Sequence, residues 1–177
     1  MLGKFIGLSI VLLVIVAVGF GAAGLLGFAA GAGFSLQTYG LLLVFSSSVA
    51  LFFLALALLV GTLASNRWQA LTIGVAVWFF AVIGWAPLLI AVLGFLPYSS
   101  VKPAVTLLTF LNPAELSRLF TVVKLGGGSI LGPEYYDWIK WIKRPTGSLG
   151  FLGTAVLWIG CAISLARLIW ERRRMHG

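Results

Sequence analysis

Very few of these 177 side chains could carry out chemistry, and their spacing limits what that chemistry could be. Cys161 is the only cysteine, which excludes an intramolecular disulfide and leaves no set for a cysteine metal centre or redox pair. His176 is the only histidine, and Met1 and Met175 are the only methionines, so neither zinc nor copper is offered a ligand cluster. Ser46, Ser47 and Ser48 stand in a row, but hydroxyls inside an apolar helix return their bonds to backbone carbonyls or pack against a neighbour. The "GGGS" stretch at 126–129 is no phosphate loop, because it lacks the spaced glycine, lysine and hydroxyl that cradle a nucleotide. One constellation remains, in "LNPAELSRLF" at 111–120: Asn112, Pro113, Glu115 and Arg118. A single carboxylate beside a guanidinium, without a nucleophile or second carboxylate, is expected to be structural. The expectation is no catalytic residue, no metal, no cofactor and no enzyme, and the chain cannot hydrolyse ATP itself.

The elements that hold those residues are set by composition. The chain is 61% apolar and 9% charged, against about 25% charged in soluble domains, so it reads as an all-α membrane protein. Twelve Lys and Arg against four Asp and Glu give a net charge of +8. In a membrane chain this excess records orientation and contact with anionic lipid headgroups, and no basic stripe on a soluble face offers nucleic acid a site.

Four uncharged or nearly uncharged runs predict four transmembrane helices near 5–31, 39–65, 71–96 and 150–170. The first is too long for the apolar core of a signal peptide. Gly3, Gly7, Gly19, Gly21, Gly24, Gly27 and Gly31 give it small-residue faces suited to close packing against another helix. Pro87 predicts a kink in the third.

Residues 97–149 form an extracytoplasmic segment in this reading. Lys102, Glu115, Arg118 and Lys124 would be costly at depth, so residues 101–124 are not expected to cross. Asn112 reads as an N-cap, Pro113 as the first helical residue, and Glu115 as the third, reaching back to the Asn112 amide in a capping box. Arg118 lies one turn on, within reach of Glu115 for an ion pair. Leu116, Leu119, Phe120 and Val123 share a face, with Glu115, Ser117 and Arg118 away from it, so the helix is expected to lie at the interface. A second amphipathic piece, "PEYYDWIKWIKRP", places Tyr135, Trp138, Ile139 and Ile142 along one side, with Lys140, Lys143 and Arg144 near the other.

Lys4, Arg67, Arg167 and Arg172 to Arg174 gather in three short segments, whereas Lys102, Arg118, Lys124, Lys140, Lys143 and Arg144 spread along one long one. That density favours cytoplasmic termini.

An apolar chain opening on "LGKFIG", with a short basic turn "SNRWQAL", then "LNPAELSRLF" and a last helix closed by "ERRR", resembles the permease subunits of type-2 ABC exporters. It is most similar to their multicopper-enzyme maturation group, which includes the permease for nitrous oxide reductase maturation. There an Asn-Pro-x-acid-x-x-Arg stretch follows the fifth of six helices, and Asn112, Pro113, Glu115 and Arg118 match it. "LGKF" looks like the start of the third helix, so the first two helices and the coupling helix between them are expected to be missing. The resemblance implies a bacterial inner-membrane permease that works with a separate ATP-binding subunit and a second permease chain or other membrane subunits. It makes Arg67, Trp68 and Gln69 the candidates for partner contact. The alternative is a small accessory or assembly subunit of a larger membrane complex that transports nothing. Substrate is not legible.

Overall fold

The computed structural model describes residues 2–31 and 35–175, and every regular element among them is helical. In chain order these are α1 (Leu2–Ala29), α2 (Leu36–Leu63), α3 (Arg67–Phe79), a π turn (Phe80–Gly84), α4 (Trp85–Gly94), α5 (Tyr98–Leu111), α6 (Pro113–Lys124), α7 (Tyr136–Lys143) and α8 (Pro145–Met175), with two short 3₁₀ turns between α6 and α7. The α3, π and α4 pieces form one continuous third helix, so four helices are long and apolar enough to cross a bilayer. Each offers 28 residues, about 42 Å at the usual rise and ample for a hydrocarbon core of about 30 Å. The chain is an integral membrane protein.

The long helices begin a few residues earlier than the apolar runs suggest, because polar caps extend the hydrogen-bonded ladder beyond the apolar residues. The Ser35 side chain accepts from the Thr38 amide ahead of α2, and the Asn66 side chain accepts from the Gln69 amide ahead of α3.

Helix α2 is the hub, packed by α1, α3, α6 and α8. Phe45 meets Phe151 at 5.0 Å and Phe52 meets Trp158 at 6.3 Å between ring centroids. The pairs advance together, so α2 and α8 run parallel. Helix α1 packs chiefly on α2, near the connection that joins them: Tyr39 lies 5.9 Å from Phe20, and its hydroxyl accepts the Gly24 amide at 2.9 Å. A Cβ at Gly24 would stand 2.8 Å from the Tyr39 ring, so that glycine is required for the approach. Gly3, Gly7, Gly19, Gly21 and Gly31 have open space instead, so of these glycines Gly24 is the one that meets the neighbouring helix closely.

One end of the bundle carries the start of α1, the 64–66 turn and the end of α8. The other carries α5, α6 and α7, and here placement differs from expectation. Residues 113–124 do form a helix, but it is enclosed by α2, α5, α7 and α8 rather than laid along a rim. Pro113, Glu115, Leu116, Ser117, Leu119, Phe120 and Val123 are all buried. Phe120 meets Phe45 at 6.0 Å, Phe151 at 4.9 Å and Trp141 at 5.7 Å, so neighbouring aromatic rings cover the apolar face that an interface would have taken. The opposite face carries Glu115 and Ser117 against the other long helices.

Helix α5 runs to Asn112, where the chain reverses, and α6 returns beside it. The bend shares a cavity with Phe52, Ile73 and Trp158, residues well inside three long helices. The Phe110 carbonyl at the end of α5 accepts the Trp158 indole N–H at 2.9 Å, and the Trp138 indole donates to Thr106 at 3.2 Å. Trp138 and Ile142 of α7 are buried, with Tyr135 and Ile139 packed at the edge of the same core. Gly147 lets α7 fold back on α8, since a Cβ there would collide with the Trp141 carbonyl.

Candidate functional site

Asn112 does two jobs. Its Oδ1 accepts from the Ala114 amide at 3.0 Å and the Glu115 amide at 3.4 Å, capping α6, while Pro113 occupies the first turn where no N–H is needed. Its Nδ2 donates to the Ala81 carbonyl at 2.7 Å. Ala81 lies in the π turn of the third helix, upstream of Pro87. The proline has no N–H for the Ile83 carbonyl, and its ring crowds that carbonyl, so the helix widens and Asn112 satisfies part of the disturbed ladder. The kink expected at Pro87 is thus a π turn braced from outside the helix. The 31-residue separation between Asn112 and Ala81 hid this contact from the sequence.

Glu115 does not close a capping box. Its carboxylate takes Arg118 in a two-point grip, Nε to Oε2 at 2.8 Å and Nη2 to Oε1 at 2.5 Å. The Glu115 side chain is 5% exposed and that of Arg118 55%, so the pair has a buried acid and a half-open base. An unpaired acid at that depth would be far costlier than an unmade cap bond. The hydrogen bond to Glu115 raises the Arg118 pKa above its ordinary value, with burial opposing it. Because the folded pKa is raised, the contribution is fully present below the unfolded value and is lost only above the folded one. The Arg118 guanidinium therefore stays charged across the ordinary pH range. Two clefts flank it, of about 530 Å³ and about 470 Å³. Helix α6 ends at Gly126, whose φ of 90° suits glycine alone.

Arg67, Trp68 and Gln69 open α3 at the opposite end of the bundle, far along the chain fold from α6. Arg67 is exposed and Trp68 is 79% exposed. Gln69 is committed to the turn: its amide donates to Asn66 Oδ1 at 2.8 Å, and its Oε1 accepts from the Ser65 amide at 2.7 Å. Of the three candidates, two project outward and one braces the turn.

Elsewhere, the Ser48 hydroxyl donates to the Val44 carbonyl at 2.9 Å, and Cys161 is exposed. Among the described residues no group of three or more His, Cys, Asp or Glu could hold a metal ion; Met1 and His176 lie outside them. What the geometry shows is bracing: Asn112 ties α6 to the third helix, and Gln69 ties the turn before α3.

The probable ABC transporter permease protein NosY of Pseudomonas aeruginosa is 29% identical to this chain over 183 residues. The match takes in 98% of this chain and 63% of NosY, so the chain spans less than two thirds of that relative's length. The family of ABC-2 transporter proteins matches residues 1–137, which include all of α1 to α6, the π turn and the Asn112 bracket. On that match the chain belongs to the ABC-2 family of transporter proteins.

Proposed function

We propose that this chain is a membrane-spanning permease subunit of an ABC-type transporter, working with a separate ATP-binding subunit. The observation that carries the reading is the family match across residues 1–137, coupled to four helices long enough to span. The likeness to NosY and the Asn112-Pro113-x-Glu115-x-x-Arg118 stretch support a place in the multicopper-enzyme maturation group. The short, dense basic segments at Lys4, Arg67, Arg167 and Arg172 to Arg174 support cytoplasmic termini in a bacterial inner membrane, with residues 97–149 on the outer side. The turn before α3 then faces the ATP-binding subunit, with Arg67 and Trp68 as the contact and Gln69 as its brace. A second permease chain completes the pathway.

Affinity purification of the native complex tests the reading: an ATP-binding subunit should come down with this chain. Arg67→Glu should reduce its recovery at least about tenfold, equivalent to about 1.4 kcal/mol of binding. Single-cysteine labelling at positions 130 and 175, in a Cys161→Ser background, should find them on opposite sides of the membrane. A native complex without any ATPase would replace the exporter by an accessory subunit of a larger assembly.

A further inference from the structure

The two clefts beside the Glu115–Arg118 pair share only that pair among the described residues that line them. The first runs between α2, the third helix and α6, along Phe45, Val49, Ala50 and Val122. The second runs between α4, α5 and α6, along Ala86, Leu89, Leu93 and Val101. Both have apolar walls, and their volumes of about 530 and 470 Å³ are nearly matched. At their junction Arg118 spends its Nε–H and one Nη2–H on Glu115, which leaves the other guanidinium hydrogens for an acceptor on its open side. The Ser46 hydroxyl, on the wall of the first cleft, adds a donor with no hydrogen-bond partner among the described residues.

Two matched apolar grooves meeting at a point that offers hydrogen-bond donors from a half-open guanidinium have the complementary shape of a head with two tails. We propose that this junction binds one diacyl phospholipid with an anionic headgroup, its phosphate on Arg118 and Ser46 and one acyl chain in each cleft. The inference rests on the chain's lying in a membrane and not on its transporting anything. The lipid would fill the space between α6 and the third helix, against Ala81 in the first cleft and Ala86 in the second.

Native mass spectrometry of the purified protein decides it, with phosphatidylglycerol, phosphatidylcholine and lysophosphatidylglycerol supplied at equal mole fraction. One phosphatidylglycerol should be retained about fivefold over phosphatidylcholine, the factor that one basic residue near an anionic headgroup supplies, and lysophosphatidylglycerol should be held more weakly. Ala50→Trp fills one cleft and Ala86→Trp the other; each should release the lipid while the helical circular dichroism is kept. The paired change Glu115→Gln with Arg118→Gln leaves no unpaired buried charge and should bring the headgroup preference to unity. Equal retention of phosphatidylcholine, equal retention of the single-chain lipid, or a lipid that survives filling of the clefts would overturn the site.

Discussion

Helix α1 carries one charge, Lys4, over 28 residues and buries none of them, whereas α6 carries Glu115, Arg118 and Lys124 within twelve and buries seven. In a soluble domain the order would be reversed. Lipid tails are as apolar as leucine, so hiding an apolar helix inside protein gains little, and α1 can face outward along most of its length. A polar group away from water is costly without a partner, and those at the start of α6 have one, although Ser9, Trp85 and Thr109 each bury a side-chain polar atom that has none. Asn112 finds Ala81, Glu115 finds Arg118, and the Ser117 hydroxyl finds the Pro113 carbonyl at 2.8 Å. The comparison teaches that a long apolar run does not by itself mark the protein interior of this chain, whereas the partnered polar residues of α6 do.

The largest effect should come where α6 is most enclosed. Phe120→Ala, at a fully buried ring packed on three others, should cost roughly 3 kcal/mol. That is the low end for such a truncation, because the unfolded side chain rests in lipid rather than water. Titration into a denaturing detergent, followed by circular dichroism, would measure it; a loss under 1 kcal/mol would break the claim that α6 forms the core. Next in size, Asn112→Ala removes both cap and bracket and should cost about 2 kcal/mol. Asn112→Ser keeps a capping oxygen but is too short to donate to Ala81, so it should cost about 1 kcal/mol. Equal losses for the two would mean that the bracket to Ala81 alone matters. The smallest effect belongs to α1. Ile15→Ala, at a side chain 61% exposed, should change stability in the same titration by under about 0.5 kcal/mol. A larger loss would show that this face is covered.

How far the sequence could be read follows the same division. The long helices were legible because length and apolarity alone make them, and the start of α6 was legible because an Asn-Pro pair followed by an acid is a local signal. Its burial was not. A face bearing Leu116, Leu119, Phe120 and Val123 suits an interface and an aromatic core equally well, and only Phe45, Trp141 and Phe151, brought together by the fold, decide between them. Glu115 shows the same limit: a capping box and an ion pair to Arg118 are both available locally, and depth selects the pair. The trio at the α3 turn divided for a related reason, since Gln69 is used by its own backbone neighbours whereas Arg67 and Trp68 are not. The helix over Tyr98–Leu111 carried no cap signal, because Pro97 precedes it without a side-chain bond.

The π turn at Phe80–Gly84 is also a change of phase. Each residue advances a helix by about 100°, so a widened turn sets the length after it back against the length before it. Before the turn, Ile73, Ala76 and Val77 look toward Phe52 and Trp158; after it, Ala86, Leu89 and Leu93 look toward Val101 and Tyr135. One helix thus addresses two unrelated sets of neighbours, like a shaft with a coupling at mid-length. The Asn112 side chain, bonded to the Ala81 carbonyl, is the clamp that fixes the two lengths in that phase.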